Sequence, residues 1–304
     1  MNATTEKWTV LRLINWTKDY FARSGIDEPR LAAEVLLGHV LDCPRVALYT
    51  QFDQVVATEH LSAFRGLIRQ AADGEPIAYL IGRKDFYSLA MKVTPNVLIP
   101  RPETELLVDA VLDYAHSRSD EPLDLAQGRP LILWDVCTGS GCVAVAAAKQ
   151  WATLTVLATD ISEAALAVAR ENVERNDLGE RVRIEQADLL TWPQTPQPRP
   201  PEPFDIITSN PPYVTDAEME QLPEPLKREP DSALRAGPDG LEFIARIIKD
   251  APAHLKPNGL LAIEIGYKQA ERVYDLLNEA GRYEDIRFSK DTAGIERVAL
   301  AYCG

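Results

Sequence analysis

The sequence predicts an α/β protein, with a mostly parallel sheet covered on both faces, preceded by a small helical bundle and a linking β-hairpin. Three observations carry this. From Pro130 onward, short apolar runs alternate with helical segments, as in βαβ units. Up to about residue 75 the apolar residues recur at helical spacing. Between these regions lie two short β-rich runs around Gly82. At 304 residues the chain has ample material for a core, and its composition is that of an ordinary globular protein.

In the N-terminal region, Trp8, Leu11, Leu13, Ile14, Tyr20 and Phe21 fit one helical face. Asp27 before Pro29 marks a second helix start, feeding Leu31, Val35, Leu36 and Val40. Thr58 is expected to cap a third helix that stops at Gly74. The bundle carries no evident chemistry, and serves either packing or a macromolecular substrate. Pro76-Ile77-Ala78-Tyr79-Leu80-Ile81 and 85–93 are expected to pair as the hairpin. Then Pro100-Arg101-Pro102-Glu103-Thr104-Glu105 makes a rigid entry to a helix reaching Tyr114, with acids placed to suit the helix dipole.

Strands are expected at 131–136, 155–159, 182–186, 204–209 and 260–265, with two more around Ile286 and Val298. Helices are expected at 142–150, 162–175, 241–251 and 268–280. Residues 195–203 read as an exposed proline-rich insertion. The acidic stretch between Tyr213 and Gly240 is long enough to be a functional lid, with a disordered segment as the alternative.

Charge and cysteine usage exclude several classes. A net charge of −14 argues against general nucleic-acid binding, which rests on Lys and Arg meeting phosphate. The four cysteines form no CxxC pair, so reduced thiols in a cytoplasmic protein are expected, not disulfides or a zinc site. No metal is called for, and the four scattered histidines read as surface or packing residues. The first nine residues lack the apolar segment of a signal peptide, and no run approaches the ~20 residues of a membrane span.

The chemistry gathers at strand ends. Val136-Cys137-Thr138-Gly139-Ser140-Gly141 closes the first sheet strand with glycines that let backbone approach a ligand. Asp160 ends the second, where an acid can accept from both hydroxyls of a ribose. Asp188 ends the third, where an acid can accept from an adenine amino group. Asn210-Pro211-Pro212-Tyr213 ends the fourth on a stiff backbone, offering the Asn210 oxygen and the Pro211 carbonyl to an –NH2 group. Each piece alone has a structural alternative, the last being simply a proline-rich turn. In order, they point to a nucleoside cofactor beside an amino-gripping turn. The glycines do not spell G-x-G-x-x-G, which disfavours a dinucleotide and favours S-adenosylmethionine.

Nearly the whole chain resembles the HemK/PrmC glutamine N5-methyltransferases, which modify the GGQ glutamine of bacterial peptide chain release factors. The resemblance is carried by Pro76 to Leu80 with Gly82, and by Leu98-Ile99-Pro100-Arg101-Pro102-Glu103-Thr104-Glu105. It continues through Asp135 to Gly141, Asp160, the Asn210 to Tyr213 turn, Glu229-Pro230, Asp239-Gly240-Leu241 and Glu264-Ile265-Gly266. It ends in Lys290-Asp291-Thr292-Ala293-Gly294 and Arg297. Asn-Pro-Pro-Tyr alone is shared with enzymes that methylate adenine N6 in DNA, and its pairing with the arginine-centred segment is far more specific. Two positions depart from the pattern. Cys137 stands where the family usually carries glycine, so a positive φ there would strain it and weaken the cofactor. Leu189, beside Asp188, is a looser match to the family's adenine-side position.

The resemblance implies a Rossmann-like class I S-adenosylmethionine-dependent methyltransferase sheet over 98–304, a helical substrate-recognition domain over 1–75 and a hairpin linker over 76–97. It further implies that Cys137, Thr138, Gly139, Ser140, Gly141, Asp160, Asp188, Leu189 and Asn210 hold the cofactor. Asn210, Pro211, Pro212 and Tyr213, with Arg101 and Glu103, would take the glutamine loop. Asn210, Pro211 and Tyr213 would serve the transfer itself, with Tyr213 packing on the amide or near the sulfonium, or only lining the pocket. The expected partner is a release factor, met by a monomer that binds neither membrane nor nucleic acid in general. Rival readings are a ribosomal-protein glutamine as substrate, an amino group of DNA or RNA, and a non-catalytic binding module.

Overall fold

The computed structural model describes residues 7–118, 130–192 and 203–304. Residues 1–6, and 195–202 of the expected insertion, lie outside that part. The chain divides into two compact units, one running through Gly82 and including Glu224–Arg228, the other comprising Arg83–Pro223 and Glu229–Gly304.

The first unit is helical: α1 (Val10–Arg23), α2 (Pro29–Val40), α3 (Arg45–Thr50), α4 (Thr58–Ala72) and α5 (Ile77–Ile81). Val10, Ile14 and Phe21 of α1 pack with Ala33, Leu36 and Leu37 of α2 and with Phe64 of α4 in one buried cluster. The Thr9 side chain caps α1, accepting from the Arg12 amide at 3.4 Å. Pro29 opens α2, where a missing N–H costs nothing. Thr58 is not a cap, because Ala57 holds that position and Thr58 lies inside the first turn. The Arg228 guanidinium ties the 224–228 piece to this unit, donating to the Asp73 carbonyl at 3.3 Å.

The expected β-run at 76–82 is a short helix. Pro76 stands at its N-cap and Gly82 closes it in the left-handed conformation, φ +70°. A short apolar run between Pro and Gly suits one helical turn as well as a strand, and periodicity cannot separate them over five residues. The hairpin starts one residue later, with β1 (Arg83–Phe86) pairing antiparallel with β2 (Leu89–Lys92). Its turn is Tyr87-Ser88, both at positive φ (49° and 62°), which suits the twist of a two-residue hairpin.

The remaining elements of the second unit follow in order: α6 (Glu105–Ser117), β3 (Leu131–Val136), α7 (Cys142–Gln150), β4 (Leu154–Asp160), α8 (Glu163–Arg175), β5 (Val182–Gln186), β6 (Phe204–Ser209), α9 (Asp216–Gln221), α10 (Glu242–Asp250), β7 (Leu255–Glu264), α11 (Ala270–Ala280), β8 (Tyr283–Lys290) and β9 (Glu296–Cys303). The sheet order is β5-β4-β3-β6-β7-β9-β8. The first five strands of that order run parallel, while β9 is antiparallel to both β7 and β8. This is a Rossmann-like α/β fold. All six residues of β6 are buried, as a central strand covered on both faces requires. One face packs β3, β6 and β7 against α6 and the small residues of α7 (Val143 to Ala148), and the other packs them against Ile244, Ile247 and Ile248 of α10. After β5 the chain returns to the far side of β3, so a crevice opens between the ends of β3 and β6.

The 229–240 segment is built, not loose. Val214 and Arg235 form a parallel bridge, with the Val214 amide donating to the Leu234 carbonyl at 2.8 Å. Thr215 and Glu218 form a reciprocal capping box on α9. Among the described residues no helix is long and apolar enough to cross a membrane.

Candidate active site

A cavity of about 390 Å³ lies at the carboxyl ends of β3, β4, β5 and β6. Its wall includes Cys137, Thr138, Gly139, Ser140, Asp160, Asp188, Leu189, Asn210 and Pro212, so the structure gathers most of the residues singled out by sequence in one place. Gly141, Pro211, Tyr213, Arg101 and Glu103 are not part of that wall.

The floor is organised by Asp135, the last-but-one residue of β3 and 2% exposed. Its carboxylate accepts from the Thr138 hydroxyl at 2.6 Å and the Thr208 hydroxyl at 2.8 Å. Burial pushes its pKa up to about 6, against the pull of these two hydroxyls and the Ala144 amide. The bond to Thr138 bends the chain straight after the strand. Cys137 sits at the bend with φ +58°, the strained conformation that a glycine would adopt freely. Burial, followed by the nearby Asp160 charge, raises its thiol pKa and keeps it protonated, so it is no nucleophile. Gly141 has a different reason to be glycine: at φ +77°, a β-carbon there would lie 3.2 Å from that of Ala169. Asn172 of α8 buttresses the turn, donating to the Ser140 carbonyl at 2.8 Å while exchanging hydrogen bonds with the Lys92 backbone of β2.

Asp160 ends β4 with its two oxygens facing backbone donors, the Gly139 amide and the Ser162 amide, each at 2.9 Å. Burial raises its pKa, and those amides oppose the rise. Each oxygen keeps acceptor capacity beyond its one bond. Asp188 is half-exposed, with its Oδ2 on the Arg246 guanidinium at 3.0 Å. Leu189 follows at φ +49°, turned into the apolar cluster on the α10 side of the sheet.

Asn210 leaves β6 at the cavity edge, its Nδ2 donating to the Thr104 hydroxyl at 3.1 Å. Tyr213 is partly buried and does not line the cavity, and its hydroxyl donates to Glu264 Oε1 at 3.2 Å. Burial, with the neighbouring Glu264 charge, raises the phenol pKa. Arg101 donates to the buried carboxylate of Glu229, whose other oxygen accepts from the Ile99 amide at 3.0 Å. That pair pins the segment before α6 to the 229–235 strap, and Pro230, Asp231, Ser232 and Ala233 of the strap complete the cavity wall.

Several residues that hold this site carried no assigned role from sequence: Thr104, Glu229, Glu264 and Gln269. Gln269 uses both ends of its side chain, donating to the carbonyls of Tyr213 (3.2 Å) and Gly240 (3.1 Å) and accepting from the Gly266 amide (2.7 Å). Glu264 entered only as part of the resemblance, and its place as an acid closing an apolar strand was the signal for a role. Gln269 gave no signal.

Comparisons with known proteins bear on the fold and the family. Residues 12–82 match the PrmC N-terminal domain family, and residues 133–228 match the Methyltransferase domain family. The chain is 43% identical to the release factor glutamine methyltransferase of Rhodopirellula baltica, over 96% of this chain and 95% of that protein. It is 38% identical to that of Geobacter sulfurreducens over 98% of each. Among solved structures, the human METTL16 N-terminal domain in complex with SAH shares the fold with a TM-score of 0.52 at 20% identity, over 77% of this chain and 83% of that one. A METTL16 catalytic domain in complex with MAT2A 3'UTR hairpin 1 does so at 0.57 and 17%, over 78% and 80%. With relatives this similar over almost its full length, the chain is a methyltransferase and belongs to the release factor glutamine methyltransferase family.

Proposed function

We propose that this protein transfers a methyl group from S-adenosylmethionine to the side-chain amide nitrogen (N5) of the glutamine in the GGQ motif of peptide chain release factors. The observation that carries the proposal is the placement of Asn210. Its carboxamide edges the same cavity as Asp160, and its nitrogen is already spent on Thr104, which leaves the oxygen as the free acceptor.

The residues present fit the cofactor. The cavity lies in the size range of small-molecule sites and is lined largely by apolar groups with a few polar ones. Asp160 retains lone pairs for ribose hydroxyls, Leu189 and Phe243 offer apolar surface to an adenine, and the turn from Cys137 to Ser140 brings backbone close. Asp188 would accept from the adenine amino group with the oxygen that Arg246 leaves free. When bound, S-adenosylmethionine supplies an electrophilic methyl on a sulfonium.

An amide nitrogen is a poor nucleophile because its lone pair is delocalised into the carbonyl. Asn210 Oδ1 and the Pro211 carbonyl would each accept one N–H of the glutamine amide. That fixes the nitrogen's direction and favours the positive charge that develops on it. No strong base is needed beforehand, since the nitrogen can shed its proton after transfer. Positioning of this kind supplies as much as ~7–11 kcal/mol in favourable cases. The helical first unit would provide a docking surface for the release factor, and the cytoplasm, where release factors work, would be the site of action.

The test is mass spectrometry of a purified release factor incubated with this protein and S-adenosylmethionine. The expected result is one added methyl on the GGQ glutamine. Asn210→Ala should cut turnover by about 10²–10³-fold, as removal of an oriented polar group at a reacting centre does, with cofactor affinity little changed. An unmodified factor in the presence of demonstrably bound cofactor would overturn the substrate assignment.

A further inference from the structure

The cavity reaches the tips of β3, β4, β5 and β6, all on one side of β7 in the sheet. With a cofactor in that cavity, the approach to Asn210 that stays open is over the tip of β7. There the Gln269 amide donates to the Gly266 carbonyl at 3.2 Å, closing a four-residue turn with Tyr267 and Lys268 at its two central positions. The Gln269 side chain closes the turn a second time by accepting from the Gly266 amide at 2.7 Å. It also ties the turn to the Asn-Pro-Pro-Tyr segment through the Tyr213 carbonyl at 3.2 Å. Gly266 lies close against the Tyr213 ring, since an added β-carbon would be 3.1 Å from its Cδ2. The tip of β7 is thus fastened to the turn that carries Asn210.

What this rigid turn holds up is an aromatic ring. Tyr267 is 61% exposed, and the Lys268 ammonium lies over its ring, 4.8 Å from the centre. A lone exposed aromatic is ordinary on a protein surface. This one stands on a backbone already fixed, so it loses little freedom on meeting a partner. Lys268 occupies the third position of the turn at φ +68°, a conformation that favours glycine and strains an L-residue. Glycine could not supply the cation that covers the ring. Among the described residues, the other exposed large apolar or aromatic side chains of the second unit are Ile161, which lines the cavity, and Tyr274, on α11. Tyr267 is the one at a strand tip beside Asn210 and outside the cavity wall.

Resting on the function given above, we propose that Tyr267 is a specificity-determining residue whose ring packs on the glycine backbone preceding the target glutamine, with Lys268 holding the ring in place. Neighbouring strands lie about 4.8 Å apart, and an extended chain advances about 3.4 Å per residue. A loop that sets its glutamine over β6 therefore has its next one or two residues over β7. In a GGQ sequence those residues carry no side chains, so their peptide planes lie flat on an aromatic face. A residue with a β-carbon is held off the ring, and its glutamine is lifted away from Asn210.

The experiment is steady-state methyl transfer by the full-length protein to a purified release factor, either unaltered or with alanine in place of the glycine next to the glutamine. Tyr267→Ala should raise KM for the unaltered factor about tenfold, with kcat and S-adenosylmethionine affinity within about twofold and the urea midpoint unchanged. Tyr267→Phe, which keeps the ring face, should stay within about threefold of the wild-type KM. With the wild type, the alanine factor should be about tenfold poorer in kcat/KM than the unaltered one. With Tyr267→Ala that penalty should fall below about threefold, because the ring that rejects the β-carbon is gone. Lys268→Gly should raise the urea midpoint, as glycine takes the turn without strain, and still raise KM about threefold. An unchanged KM in Tyr267→Ala, or an alanine penalty equal in the two enzymes, would overturn the proposal and leave the substrate assignment standing. A loss of cofactor affinity as large as the rise in KM would also overturn it, since the ring would then serve the cavity and not the loop. A KM unchanged in Lys268→Gly would strike the lysine from the pair. A wild type that binds S-adenosylmethionine and leaves the unaltered factor unmodified would overturn the substrate assignment, and this inference with it.

Discussion

Gly240→Ala tests how tightly the Asn-Pro-Pro-Tyr turn is held. Gly240 has φ +71°, and a β-carbon there would sit 2.5 Å from the Tyr213 carbonyl oxygen, 2.8 Å from Gln269 Nε2 and 3.2 Å from Thr215 Cγ2. The first contact is with backbone, so relief requires the chain just after Pro212 to move. The left-handed conformation costs alanine about 1–2 kcal/mol. Displacing Gln269 disturbs its bonds to the Tyr213 and Gly240 carbonyls, at about 1 kcal/mol each. Against this, alanine restricts the unfolded chain and returns about 0.5–1 kcal/mol. The net expectation is a loss of about 2–3 kcal/mol, read as a lower urea midpoint at constant slope. Gly25→Ala is the matched control, since Gly25 has φ +73° with nothing within 4 Å of the added carbon. It should cost only the conformational part, about 1 kcal/mol. Turnover should fall in Gly240→Ala, because the Tyr213 carbonyl cannot shift without the turn that carries Asn210. If Gly240→Ala unfolds at the same urea concentration as Gly25→Ala and keeps full turnover, the contact with Tyr213 does not hold the turn.

Asp160→Ala should weaken S-adenosylmethionine binding about 10–100-fold by calorimetry, the worth of charge-assisted hydrogen bonds to a ligand; unchanged affinity would remove Asp160 from the ribose site. Glu264→Gln should stabilise the fold at high pH. The carboxyl pKa is raised from 4.5 to about 7 in the folded protein, so the native state prefers the protonated acid. Its stability is therefore fully present below about pH 4.5 and is lost as pH rises through about 7. The difference corresponds to about 3 kcal/mol at pH 8.5 and vanishes at pH 4, where glutamine and the protonated acid are alike. Urea unfolding of both proteins at the two pH values measures it, and a gap that shrinks with rising pH would show the sign to be wrong.

The central strands were legible because burial on both faces favours a run rich in apolar side chains, even with an occasional buried polar residue such as Asp135 or Asp205. The runs at 131–136 and 204–209 coincide with β3 and β6. Ser162, where a helix was expected to begin, caps α8 by accepting from the Ala165 amide at 3.2 Å. The antiparallel pair β8 and β9 was placed by its centres, near Ile286 and Val298. What failed was short: α3 and α9 span six residues each and gave no period to read, and α5 was mistaken for a strand. The strand tips with cavity-facing residues were also legible, since turn glycines and terminal acids stand out after apolar runs. The support behind them was not. Glu229 meets Arg101 across a sequence separation of 128, and Thr104 meets Asn210 across 106. No local pattern marks a threonine in an acidic turn as the partner of an asparagine on another strand.

That hidden support gives physical content to segments that sequence offered only as likeness. Tyr213 is held at three points by stretches of chain well beyond it in sequence. Its hydroxyl donates to Glu264, its ring edge lies where a β-carbon on Gly266 would come within 3.1 Å, and its carbonyl accepts from Gln269 beside Gly240. Two of those stretches are Asp239-Gly240-Leu241 and Glu264-Ile265-Gly266, each with a glycine where it passes the tyrosine, and the second with the acid that binds it. An aromatic ring fastened by its polar tip and hemmed by glycine is not free to follow a substrate amide. On the proposed function, its effect on the transfer would run through the backbone, by fixing the prolines next to Asn210. Phenylalanine at 213 would keep the ring and lose only the bond to Glu264, whereas alanine would release the turn itself.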